Sequence, residues 1–149
     1  MIKDLNISKE TKALFYDYIC QYESSIKSCF GSYHLEDTNL QTFMRKKDLF
    51  IGSDSHNNRK ICNNKQQYIL FDNGKPKVRK LKELPNDTVH NLLRHIRNSM
   101  AHGNMYKKSK NGQFFIMEDY NRNERKTMNG KIFISTLEPL LNLLITTKR

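Results

Sequence analysis

The chain has 149 residues, which is enough for one domain (1–149) with its own hydrophobic core. A formal net charge of +11, 37% hydrophobic residues and a mean hydropathy of −0.76 favour polyanionic partners such as nucleic acid, and no run approaches the ~18 apolar residues of a membrane span. Cys20, Cys29 and Cys62 lack the even count of a disulfide framework and the CxxC spacing of a zinc site, and Met1-Ile2-Lys3-Asp4-Leu5 lacks a signal-peptide layout, so a cytoplasmic protein with reduced thiols, no metal and no membrane contact is expected.

Along the chain, Ser8 to Phe30 reads as a long helix. Leu14, Tyr18, Tyr22 and Ile26 recur every four residues, Phe15, Ile19 and Phe30 widen the stripe, Ser8 suits the N-cap and Gly31 the stop. Leu40, Phe43 and Met44 suggest a short helix ahead of Leu49-Phe50-Ile51. The Ser-, Asn- and Asp-rich stretch Gly52 to Asn64 reads as a mobile loop. Tyr68 to Phe71 is a strand, Asp72-Asn73-Gly74 a tight turn, and Lys75 to Leu81 the expected return strand. Asp87 caps a second helix from Thr88 to about Ala101, with Val89, Leu92, Leu93, Ile96 and Met100 as its apolar stripe and Gly103-Asn104 as its stop. Phe114 to Met117 and Lys131 to Ile134 form the arms of a second hairpin, joined by a polar connection from Asn121 to Gly130. Ser135-Thr136-Leu137-Glu138 has capping-box form and opens a last helix through Leu140, Leu141, Leu143, Leu144 and Ile145. The expected fold is mainly α, with small inserted β-hairpins.

The chemistry concentrates in Arg97-Asn98-Ser99-Met100-Ala101-His102, at the end of the second helix. Arg97 is a permanent cation whose planar fork fits a phosphate. His102 exchanges a proton near neutral pH. Asn98 hydrogen-bonds either partner or a substrate. RNA carries its own nucleophile, the 2′-hydroxyl beside the scissile phosphate. A protein that aligns it needs a base, a donor for the leaving oxygen and positive charge on the phosphoryl oxygens, and no metal or other cofactor. His102 would move protons, worth about 10²–10⁴-fold, and Arg97 would stabilise the developing charge. Asn98, one turn below His102, would fix the ring. At ~100° per residue, Arg97 and His102 lie roughly 140° apart around an unbroken helix. They converge if the helix ends before His102, or if two copies face each other across a two-fold axis in a homodimer.

The segment Leu92-Leu93-Arg94-His95-Ile96-Arg97-Asn98-Ser99-Met100-Ala101-His102-Gly103 resembles the signature of the HEPN superfamily, the higher eukaryotes and prokaryotes nucleotide-binding domain. That signature is an Arg, a polar residue that is often Asn, three to five further residues and a His at a helix end. The resemblance implies an all-helical HEPN bundle, and the hairpin after the motif is similar to that of some plasmid- and phage-defence members. It further implies a metal-independent endoribonuclease that works as a dimer in a toxin–antitoxin, abortive-infection or other defence system, with an antitoxin or other defence protein as partner. By position Arg97 and His102 would be catalytic and Asn98 auxiliary. Some HEPN toxins carry a Tyr two residues after the His that an antitoxin modifies with AMP. Here that position is Asn104 and the nearest Tyr is Tyr106, which speaks against such control.

Arg94 shares the Asn98–His102 face and is a candidate RNA contact. Lys107, Lys108 and Lys110 follow the motif directly and are candidates to grip phosphates. Lys75, Lys77, Arg79, Lys80 and Lys82 form a second basic run, and Arg122, Arg125 and Lys126 a third. Tyr106, Phe114 and Phe115 have the ring faces to stack on bases, although the two Phe fit a core strand better. His90 and His95, on the same helix, read as solvated or locally satisfied and without a role. The alternative from another class is a non-catalytic RNA-binding or protein-interaction module of the same fold.

Overall fold

A computed structural model describes residues 8–29, 32–72, 88–107 and 114–148. Helix α1 spans Lys9–Gln21, and Ser8 Oγ caps it by accepting the Thr11 N–H at 3.1 Å. From Tyr22 to Ile26 the helix widens into a π turn, closed by Lys27 N–H on the Tyr22 carbonyl at 3.0 Å. The long helix expected from Ser8 to Phe30 is therefore α-helical only to Gln21, and Phe30 lies outside the described residues. A repeat of four outruns the 3.6 residues of an α turn, and the wider turn keeps Tyr22 and Ile26 on the buried side with Phe15 and Tyr18.

Helix α2 (Thr38–Lys46) starts on Asp37, whose carboxylate accepts the N–H groups of Asn39 and Leu40. Strand β1 (Leu49–Ser53), helix α3 (His56–Cys62) and strand β2 (Gln67–Phe71) follow. The stretch from Gly52 to Asn64 is thus not a loop. Its polar residues cap and pin a helix: Ser55 Oγ accepts the Asn58 N–H at 3.2 Å, Asn58 Nδ2 donates to the Ser53 carbonyl at 2.8 Å, and Arg59 pairs with Asp54 at 2.7 Å.

Helix α4 (Thr88–Ala101), strands β3 (Met105–Lys107), β4 (Phe114–Tyr120) and β5 (Lys126–Phe133), and helix α5 (Ile134–Thr146) complete the described chain. The strands form one sheet in the order β1-β2-β5-β4-β3. β1 and β2 run parallel with α3 between them, and Leu49 is opposite Gln67. The remaining pairs are antiparallel, with Tyr68 opposite Lys131 and Phe114 opposite Phe133. Among the described residues, five helices and a five-stranded mixed sheet make an α+β fold, which corrects the expected mainly α bundle with inserted hairpins.

The correction has a specific source. β2 pairs with β5 and β1, partners distant in sequence, while the return strand expected at Lys75 to Leu81 lies outside the described residues. Local alternation reveals a strand but not its partner. The second hairpin is also longer than expected: Lys126 to Gly130 pairs as strand rather than connecting. Ile134 belongs to α5, which starts on Phe133 with no side-chain cap, so the Ser135–Glu138 capping box is not formed.

One core joins these elements. Phe15 of α1 packs on Phe115 of β4 with ring centroids 5.8 Å apart. The buried Tyr18 hydroxyl donates to the Leu93 carbonyl of α4 at 2.6 Å. Val89, Leu92, Leu93, Ile96 and Met100 are fully buried between α1 and the sheet. Helix α4 is thereby held along its length, and its C-terminal end is placed against β4.

Candidate active site

The end of α4 is fixed by its backbone. His102 N–H still bonds the Asn98 carbonyl at 3.0 Å, Gly103 N–H reaches Met100 and Asn104 N–H reaches Ser99 at 2.8 Å. This crossed pair of bonds is a Schellman closure, and it requires the left-handed conformation that Gly103 adopts at φ 73°. The helix ends as Gly103-Asn104 foretold. His102 directly follows Ala101, the last residue of α4, with an exposed imidazole that makes no hydrogen bond to the described residues.

Arg97 is half-buried. Its Nη1 donates to Asn98 Oδ1 at 3.1 Å, and its Nη2 pairs with Glu23 Oε1, in the π turn after α1, at 2.9 Å. Its Nε is buried without a hydrogen-bond partner. The Asn98 carboxamide also donates through Nδ2 to Asp119 Oδ2 at 3.3 Å. That same Asp119 oxygen lies 2.8 Å from His95 Nδ1, while Oδ1 accepts the Tyr120 N–H at 2.9 Å. His95 Nε2 sits 2.9 Å from the Asp72 carbonyl. A continuous polar chain therefore runs from Asp72 through His95, Asp119, Asn98 and Arg97 to Glu23.

The structure joins Arg97 to Asn98 directly. It links His102 to Asn98 through the backbone alone, and the Asn98 carboxamide is committed to Arg97 and Asp119 rather than to the ring. Burial pushes the Tyr18 phenol well above its ordinary range, with Arg97 opposing the shift. The Tyr22 phenol is raised by burial as well, opposed by the positive charge of Arg94 and Arg97.

The family model of HEPN pEK499 p136 matches residues 21–147. The chain belongs to this HEPN family. Neither the curated proteins nor the solved structures searched contain a match to it. Membership makes it a nucleotide-binding, ribonuclease-type domain at the level of the family. The matched span includes Glu23, all of α4 and all of β4.

In this HEPN domain the other sequence candidates are scattered. Arg94 is half-buried, with Nη2 3.4 Å from His95 Nε2. Lys107 lies on β3, and Lys108 and Lys110 lie outside the described residues, as does the Lys75–Lys82 run. Arg122 and Arg125 are exposed in the β4–β5 turn, and Lys126 is tied to Glu118 at 2.6 Å. Phe115 is core, whereas Phe114 carries Lys131 Nζ over its ring at 4.5 Å. Cys20, Cys29 and Cys62 are all free thiols, and Cys20 is exposed. Among the described residues no group of three or more His, Cys, Asp or Glu is placed to hold a metal.

Three members of the polar chain, His95, Asp119 and Glu23, have no role assigned from the sequence. Of the two readings for His95 and His90, satisfied rather than solvated holds: both are buried, and His90 Nε2 faces the carbonyls of Ile26 and Lys27 at 3.1 and 3.2 Å. Asp119 had a legible signal. It continues the inward phase of Phe115 and Met117, so period-two alternation puts a carboxylate on the core face of β4. Glu23 had no such signal, because only the π turn aims it at Arg97.

Proposed function

We propose that this HEPN domain is a metal-independent endoribonuclease of a toxin–antitoxin or anti-phage defence system, acting as a homodimer in the cytoplasm. The observation that carries the reading is the Arg97–Asn98 pair on α4, one turn before an exposed, uncommitted His102, within the segment matched by the family model. Arg97 binds a phosphoryl oxygen of the RNA and stabilises its added charge as the 2′-oxygen attacks. The 2′-O–P bond forms, the P–O5′ bond breaks, and a cyclic phosphate and a 5′-hydroxyl result. One imidazole takes the 2′-proton and another protonates the leaving oxygen. Each chain holds one His102, so a cleft shared by two copies supplies both. Arg94 and Lys107, with Lys108 and Lys110, hold the flanking phosphates.

Cleavage of RNA in EDTA by the wild type and by Arg97→Ala and His102→Ala variants tests this. Activity confined to the wild type supports it. RNA binding by all three without cleavage would replace it with the non-catalytic module. Absence of both binding and cleavage would point to a protein partner, such as an antitoxin.

A further inference from the structure

Asn98 sits between a cation and an anion. Its Oδ1 accepts from the Arg97 guanidinium at 3.1 Å, and its Nδ2 donates to the Asp119 carboxylate at 3.3 Å. Rotating the carboxamide by half a turn would aim its N–H groups at the guanidinium and its oxygen at the carboxylate, so both contacts would become repulsive. The orientation of Asn98 is therefore chosen by its two charged neighbours. Arg97 is mobile in principle, being half-exposed and long, whereas Asp119 is not. Asp119 is 5% exposed on the inward face of β4, with Oδ1 on the Tyr120 N–H and Oδ2 shared between Asn98 and His95. His95 is itself 2% exposed, and its far nitrogen meets the Asp72 carbonyl.

On the ribonuclease reading, we infer that Asp119 is a positioning residue. It fixes the Asn98 carboxamide, which in turn holds the Arg97 guanidinium in one plane to meet the phosphate, and His95 locks Asp119 in place. Asp119 touches neither substrate nor reacting atoms. The guanidinium needs such support because its other contact, Glu23, is a surface carboxylate on a different element. A fork held at Nη1 by a rigid carboxamide presents its donors in a set direction, and small misplacements of a catalytic group are costly in rate.

The test is a double-mutant cycle on RNA cleavage in EDTA. Asp119→Asn keeps shape but removes the anion that selects the carboxamide orientation. It should lower kcat by about 10-fold or more, the usual size for loss of a supporting partner, with KM little changed. In an Asn98→Ala background the same substitution should have almost no effect, because the path from Asp119 to Arg97 is already cut. An equal loss in both backgrounds would overturn the positioning role while leaving the ribonuclease reading intact. Absence of cleavage by the wild type would overturn the ribonuclease reading, and this role with it. Hydrogen exchange of the wild-type Asn98 carboxamide serves even if Asp119→Asn fails to fold. The resonance pair is identified by its loss in Asn98→Ala, and exchange slower than that of exposed Asn side chains is expected. Exchange as fast as theirs would show that Asp119 does not hold the group.

Discussion

On the ribonuclease reading, Glu23 and the RNA phosphate compete for the same guanidinium, and Glu23→Gln measures that competition. The Arg97–Glu23 pair is close, at 2.9 Å, and the two side chains are 27% and 42% exposed. Coulomb's law at an effective dielectric of about 20 gives roughly 6 kcal/mol of gross attraction at that distance. Solvent screening and the entropy of holding two long side chains reduce such pairs to about 0.2–1 kcal/mol net. Glu23→Gln should therefore lower Tm by no more than about 4 °C in a chain of this size. Its effect on RNA should be opposite in sign. A phosphate bound by Arg97 would lie near the Glu23 carboxylate, and removing one like charge at about 4 Å in water relieves ~1 kcal/mol, roughly a five-fold gain in affinity. Fluorescence anisotropy of a labelled RNA, in the His102→Ala background to prevent cleavage, reads this directly. The gain should shrink as salt rises. A loss of affinity in Glu23→Gln would refute the reasoning, because it would mean that Glu23 aims Arg97 at the phosphate rather than competing for it.

Tyr18→Phe should cost about 1–2 kcal/mol by removing the buried hydrogen bond to the Leu93 carbonyl. The raised phenol contributes stability that is present below its unfolded value of about 10 and is lost as pH rises towards the folded one, so thermal melts between pH 9 and 11.5 should fall more gently in Tyr18→Phe than in wild type. Gly103→Ala forces a Cβ into the left-handed region at φ 73° and should cost about 1 kcal/mol, a Tm drop of about 2–4 °C, with Gly103→Asn milder. Mixing wild-type chains with an excess of His102→Ala chains should suppress cleavage beyond simple dilution, since a mixed pair holds only one of the two imidazoles that the shared cleft needs; activity that tracks the amount of wild-type chain alone would show that a single chain suffices.

What was legible in the sequence was whatever a local period encodes. The stripe Val89, Leu92, Leu93, Ile96 and Met100 marked α4, and Gly103 marked its end, because 3.6-residue periodicity and a left-handed stop are properties of neighbouring residues. Ser8 was recognisable as a cap for the same reason. The sheet was not, because β2 finds β1 and β5 through tertiary pairing, and α3 was hidden by polar residues that cap and pin rather than loop. For the site, Arg97 and Asn98 were evident as an adjacent pair, but the third dimension was needed to bring Asp119, from a strand, and Glu23, from a π turn, to them. For Asp119 the readable signal is its phase on β4, in register with Phe115 and Met117 on the buried face.

The polarity of this helix end is itself an argument about function. Asp119 and His95 occupy positions that their neighbours Phe115, Met117, Leu92 and Ile96 fill with apolar side chains. Replacing a buried pair of hydrogen-bonded polar groups with well-packed hydrophobic residues is often neutral or stabilising, whereas deleting one member leaves an unpaired buried group at a cost of about 1–3 kcal/mol or more. Stability alone would thus have favoured a Leu or Ile at both positions. The cluster is also not diffuse: its members meet one another in order and end at the partly exposed Asn98 and Arg97, one turn before the exposed His102. A network that does little for stability but fixes the orientation of a half-exposed guanidinium is the arrangement expected where a ligand, and not the core, is the object of the polarity.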